Sequence, residues 1–216
     1  ILPFQRVIEG WKRFDSRGDV RQMAVCAGLC RVFVAGWLAV IVLTSSSNLA
    51  AQLRLESLAV RGGFSGSSVI GEEQQTDFNQ VDLALAARLP WEWNVGAGWI
   101  IKTRLLTSAG VLRGSHETNG VFTLVPLDVI FGRKDGLLSI DMGVGGALLT
   151  DYKFGEQNFG GPFQFVWTWG ATSRFAGPFG AGYHFQHYSD ATIYGSESRG
   201  VDLHLFEVIY WFESGR

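Results

Sequence analysis

The feature that most restricts this chain is a two-residue alternation of side-chain character that recurs in segment after segment from Leu58 onward. In residues 81–88 the odd positions are apolar and the even ones small or charged. Val95, Ala97, Trp99 and Ile101 oppose Gly96, Gly98, Lys102 and Arg104. Leu138, Ile140, Met142 and Val144 alternate with Ser139, Asp141, Gly143 and Gly145. Phe163, Phe165, Trp167 and Trp169 alternate with Gln164, Val166, Thr168 and Gly170. Phe179, Ala181, Tyr183 and Phe185 alternate with Gly180, Gly182, His184 and Gln186. This period puts successive side chains on opposite faces of a strand and excludes an amphipathic helix. Segments near 56–66, 119–130 and 201–212 bring the expected total to eight strands.

The connections alternate in length. Long loops are expected near 67–77, 107–118, 149–161 and 190–200, and short turns near 89–94, 131–136 and 172–178. Long loops at one end and short turns at the other are the habit of outer-membrane barrels, whose turns face the periplasm. Strands of about 10–12 residues match a tilted transmembrane strand of about 9–11. Lipid forbids an open sheet edge, so the sheet must close. The expected fold is all-β, an eight-stranded antiparallel transmembrane β-barrel.

Composition agrees. Charged residues make up 18% of the 216, and 47% are hydrophobic, which excludes a disordered chain. A net charge of −2 gives no reason to expect nucleic acid as a partner. The longest strongly apolar run, residues 32–43, is too short for a spanning helix of about 20 residues. Arg31 precedes it and a Ser-rich stretch follows, the pattern of a cleavable signal peptide. Met23 is the expected start. Residues 1–22 then read as a segment upstream of the true start, 23–51 as the signal, and 52–216 as the exported barrel. Those 165 residues hold no cysteine, and 12 basic against 17 acidic residues give −5. A single-span anchor is the alternative for the N-terminal run.

One strand face is rich in Phe, Trp, Leu and Val. The other carries Asp82, Arg88, Lys102, Arg104, Asp141, Gln164 and His184 among many glycines. A soluble lipocalin-like barrel would put the apolar face inside. A sparse, Gly-rich polar face suits the crowded interior of eight strands, and the aromatic face suits lipid, with Trp91, Trp93, Tyr210 and Trp211 as an interfacial girdle. The lumen charges, Glu207 among them, read as an ion-pair network. No metal-ligand spacing or phosphate loop is present, so no cofactor is implied.

The apolar face of the strand near 179–185 continues to His187 and Ser189. Two residues apart on a strand, these side chains point the same way. That is the spacing by which a base takes a proton from a serine hydroxyl. Asp202 enters from the same end on the next strand and shares that face if Phe212 sets the phase, as does His204. Asp202 is the candidate to orient the imidazole. The bland reading is that these are interfacial polar residues of a non-catalytic structural or adhesive barrel.

The stretch Gly182-Tyr183-His184-Phe185-Gln186-His187-Tyr188-Ser189-Asp190-Ala191, followed by Gly200-Val201-Asp202, resembles the C-terminal signature of the lipid A 3-O-deacylases. Trp91 after Leu-Pro, and Phe159-Gly160 followed by Phe163-Gln164-Phe165, are similar to the same family. The resemblance implies a serine-esterase-type hydrolase in the outer membrane that removes an ester-linked acyl chain from lipid A of lipopolysaccharide. It implies Ser189 as nucleophile and His187 as general base, with Asp202 where the family usually has Glu. Asp190 stands where the family usually has Asn, and an ionised carboxylate there would oppose a developing oxyanion. Backbone N–H groups around Asp190, Ala191 and Thr192 are the expected oxyanion donors.

Overall fold

The computed structural model describes residues 53–66, 69–70, 74, 76–195 and 200–212. The upstream segment, the signal peptide and its anchor alternative all fall outside the described residues. Ten strands follow in order: β1 (Arg54–Ser65), β2 (Phe78–Gly96), β3 (Trp99–Gly114), β4 (Glu117–Arg133), β5 (Ser139–Leu149), β6 (Lys153–Phe154), β7 (Gln157–Asn158), β8 (Phe163–Ala176), β9 (Phe179–Ser189) and β10 (Val201–Trp211). Eight of them close an antiparallel barrel in the order β1-β10-β9-β8-β5-β4-β3-β2, and β6 and β7 form a small separate hairpin.

The expected alternation decides inside from outside. Val81, Leu83, Ile140, Met142, Val144, Leu148, Trp169, Phe206 and Val208 are all exposed on the outer wall. Asp82, Arg104, Asp128, Asp141, Gln164 and His184 are buried in the lumen. This is the reverse of a soluble carrier barrel and fits a wall that meets lipid.

The lumen is filled by charge pairs and by the space that glycines leave for them. Arg104 pairs with Asp128 (2.6 Å) and Asp141 (3.3 Å), and His184 lies 2.9 Å from Asp141 and 3.4 Å from Glu207. Arg88 and Lys102 both reach Glu56. A Cβ on Gly170 would stand 2.3 Å from the His184 ring, and one on Gly182 2.5 Å from Glu207 Oε1. The Gly-rich face is therefore the imprint of the large polar side chains across from it.

Two expected connections are corrected. Residues 89–94 do not turn. They continue β2, and Pro90 falls within an interruption of the β2–β3 register between Arg88 and Glu92. A bulge tolerates the missing proline N–H. The chain reverses at Gly96, Ala97 and Gly98, all with positive φ. The long loop expected near 107–118 is a tight turn at Ser115 and His116, both left-handed (φ 46° and 67°), as a two-residue hairpin requires. β2, β3 and β4 consequently run 19, 16 and 17 residues, longer than a crossing needs.

Trp211 is also corrected. Its odd position turns it inward, where it stacks under the Arg174 guanidinium at 4.6 Å, leaving Trp91, Trp93 and Tyr210 exposed. At the opposite end Phe78, Phe154 and Phe159 are wholly buried and pack edge to face at 5.1–5.7 Å. This trio, with the β6–β7 hairpin, stoppers the loop end of the lumen.

Candidate active site on the outer wall

β9 carries His187 and Ser189 outward at its loop end, in line with Phe179, Ala181, Tyr183 and Phe185. Tyr188, between the two, points inward and is 1% exposed. Its hydroxyl donates to Gln80 Oε1 at 3.1 Å, receives from Gln186 Nε2, and lies 3.4 Å from Thr123 Oγ1. A phenol pinned inside the wall fixes the rung on which its two outward neighbours stand. The alternation could have shown that Tyr188 faces inward, but not that three polar groups meet it.

β10 pairs with β9 so that Asp202 lies directly opposite His187. His187 Nδ1 and Asp202 Oδ1 are 2.5 Å apart. A carboxylate that accepts from Nδ1–H leaves Nε2 as the proton acceptor of the ring. The phase taken from Phe212 is thus the observed one, and Glu207 faces the lumen. Asp202 is only 1% exposed despite its outward position. The main-chain amides of Val69 and Ile70 donate to its second oxygen, Oδ2, at 2.5 and 2.8 Å. Sequence reading gave no sign of that contact, because main-chain donors leave no signature in residue type.

Ser189 stands one repeat beyond His187, opposite Phe165 of β8. Among the described residues its hydroxyl makes no hydrogen bond to His187. Gly200 lies beside both. A Cβ there would meet Tyr188 O at 2.6 Å, His187 Cε1 at 3.2 Å and Ser189 Cβ at 3.6 Å. The Tyr188 carbonyl, with the His187 ring close behind it, leaves no room for a side chain at Gly200, and Ser189 lies within ordinary contact of the same point.

Asp190 does not stand as a loose charge beside the serine. It is 5% exposed, and its carboxylate accepts from the N–H groups of Thr192 (3.0 Å) and Tyr194 (3.1 Å), while its carbonyl accepts from Ile193 N. These bonds tie residues 190–194 into a compact turn in which Ala191 and Thr192 both have positive φ (49° and 64°). Left-handed backbone is costly for a β-branched residue and tends to gather at functional sites. Of the expected oxyanion donors, the Thr192 N–H is engaged by Asp190. The Ala191 N–H has no such partner among the described residues.

Fold and wall together define a class: an eight-stranded barrel with a lipid-facing apolar belt, whose serine, histidine and acid sit on its outside instead of in its lumen. The model of the lipid A 3-O-deacylase (PagL) family matches residues 79–211. The chain belongs to that family of outer-membrane enzymes, and the match contains His187, Ser189 and Asp202. Among solved structures it is similar to the crystal structure of the outer membrane enzyme PagL, with 17% identity and a TM-score of 0.58 over 71% of this chain and 98% of that one. It is also similar to the Yersinia pestis outer membrane protein Ail in a phospholipid bilayer nanodisc, with 13% identity and a TM-score of 0.42 over 74% of this chain and 100% of that one. No curated protein matches its sequence.

The crowding at Gly200 yields a prediction. Gly200→Ala must displace the Tyr188 carbonyl or the His187 ring, and a misplacement of about 1 Å costs on the order of 100-fold in rate. Lipid A deacylation by the variant is expected to fall about 10–100-fold while heat-modifiable migration in detergent gels stays that of a folded barrel. Full activity would show that the ring has room to spare.

Proposed function

We propose that this barrel hydrolyses the 3-O-linked acyl ester of lipid A with Ser189 as nucleophile, His187 as general base and Asp202 as the group that orients the imidazole. The observation that carries this reading is the Asp202–His187 hydrogen bond on the outer wall, in line with Ser189 at the loop end. Lipid A occupies the outer leaflet, so its ester bonds lie level with this part of the wall and its acyl chains run down the aromatic face below it.

In the first half-reaction His187 Nε2 takes the Ser189 proton as Oγ adds to the ester carbonyl. The Ala191 N–H is the candidate donor to the oxyanion. The imidazolium returns its proton to the departing sugar hydroxyl, which leaves an acyl-serine. In the second, His187 deprotonates a water that attacks the acyl-serine, and the fatty acid leaves as Ser189 is restored. Asp202 holds the imidazolium throughout without taking its proton. The Asp190 carboxylate is occupied by two amides of its own turn, which lessens its opposition to a nearby oxyanion.

Two measurements test the proposal. Lipid A from a host expressing the barrel should lose the mass of one 3-hydroxyacyl chain relative to the same host without it. A fluorophosphonate probe should add to the peptide containing Ser189. Unchanged lipid A would point to a structural or adhesive barrel, and labelling at another serine would reassign the nucleophile.

A further inference from the structure

We infer that Val69 and Ile70, between β1 and β2, are a working part of the site: their main-chain amides clamp Asp202 Oδ2 and so fix Oδ1 on His187. The inference rests on the triad reading and adds a positioning element to it.

Three observations carry it. First, Asp202 occupies an outward rung of β10, where its neighbours in phase are half-buried (His204) and exposed (Phe206), yet Asp202 is 1% exposed. What covers it includes Val69 and Ile70, whose amides lie 2.5 and 2.8 Å from Oδ2. Second, the described residues on either side of Val69 and Ile70 are tied to one another. Ser65 Oγ, at the end of β1, receives the Phe78 N–H at the start of β2 and Gln74 Nε2, each at 2.7 Å. Next to Ser65, a Cβ on Gly66 would stand 2.8 Å from His204 Nε2. The chain thus leaves β1 against the face of β10, two residues from Asp202. Third, the two oxygens of Asp202 have separate partners. With Oδ2 held by two amides, the carboxylate cannot rotate to offer it to the ring.

This division suits an aspartate in particular. Its side chain is one methylene shorter than that of glutamate, so it reaches the imidazole only from a set position. Amide donors supply that position without adding a positive charge beside the imidazolium. Val69 and Ile70 are therefore positioning residues that act through their backbone, and their side chains are not the operative groups.

The test removes the donor and keeps the side chain. Replacing Ile70 by its α-hydroxy acid through nonsense suppression turns the amide N–H into an ester oxygen, and the same exchange is made at Val69. Ile70→Ala and Val69→Ala keep both N–H groups. Hydrogen bonds to a charged group are among the stronger ones, so each ester variant should lose about tenfold in kcat on purified lipid A, with KM and heat-modifiable migration unchanged. The alanine variants should stay within about twofold of the parent. The downfield proton resonance of His187 Nδ1–H should move upfield in the ester variants alone. Ester variants with parental kcat and an unmoved resonance would overturn the clamp, as would alanine variants that lose as much as the esters. A parent that deacylates nothing would sink the triad reading, while the resonance would still decide whether the amides position Asp202.

Discussion

Asp202→Asn is expected to lower kcat by about 10³–10⁴, the scale seen when the acid of a serine triad is made an amide. The local geometry makes the reason specific. The Val69 and Ile70 amides require an acceptor at the Oδ2 position. An asparagine would give them its carbonyl and turn its NH₂ toward His187 Nδ1. That donor stabilises the tautomer with Nδ1 bare and Nε2 protonated, which cannot take the serine proton. Ser189→Ala removes the nucleophile outright and should cost roughly 10⁵–10⁶. Asp202→Glu, by contrast, restores the acceptor that the family usually has and should keep activity within about tenfold of the parent. Initial rates on purified lipid A in detergent micelles measure all three. An Asp202→Asn variant within about tenfold of the parent would show that His187 finds its tautomer without the acid, and would remove Asp202 from the mechanism.

The shared outward face of His187, Ser189 and Asp202 was legible because a barrel wall is one-dimensional in its logic. Once the phase of β9 and β10 is known, parity puts His187, Ser189 and Asp202 on one face, and adjacency in the sheet does the rest. Parity also sent Glu207 and His184 inward. Other features escaped it. Pro90 and the residues after it resembled a turn because proline interrupts a ladder, yet an interruption can be absorbed as a bulge while the strand goes on. The Ser115–His116 reversal has Gly114 beside it but no glycine at either left-handed position, so its backbone had no residue-type marker there. The clamp on Asp202 and the turn built by Asp190 use main-chain N–H groups, which every non-proline residue owns. Arg61 and Glu56 were missed for a plainer reason: the first strand was recognised as a segment without its phase being assigned, so its inward charges were not counted with the others.

Arg61 is where the second large effect is expected. It is 1% exposed and lies between Asp82 of β2 and Glu207 of β10 in the register of the sheet. Its Nε donates to Asp82 Oδ1 at 2.7 Å, and its Nη2 donates to Asp82 Oδ2 at 3.0 Å and to Ser108 Oγ at 2.9 Å. Gln80 Nε2 adds a donor to Asp82 Oδ2 at 2.5 Å. Arg61→Met keeps much of the volume but leaves Asp82 in the lumen with no ion partner and Glu207 with one cation fewer nearby. Removing one member of a buried pair costs about 3–5 kcal/mol, since the other charge stays desolvated. Urea unfolding in lipid vesicles, followed by tryptophan fluorescence, should show a loss of that size. The double variant Arg61→Met/Asp82→Leu should regain most of it, because an apolar pair of similar volume is often neutral or stabilising. The coupling between the two positions is then the difference between the double variant and the sum of the singles. A loss under about 1 kcal/mol for Arg61→Met would mean that water reaches Asp82 and screens it. The lumen would then be a wet channel lined by charges, and the burial of those charges would not be what holds the wall, and the His187–Asp202 pair on its outer side, in register.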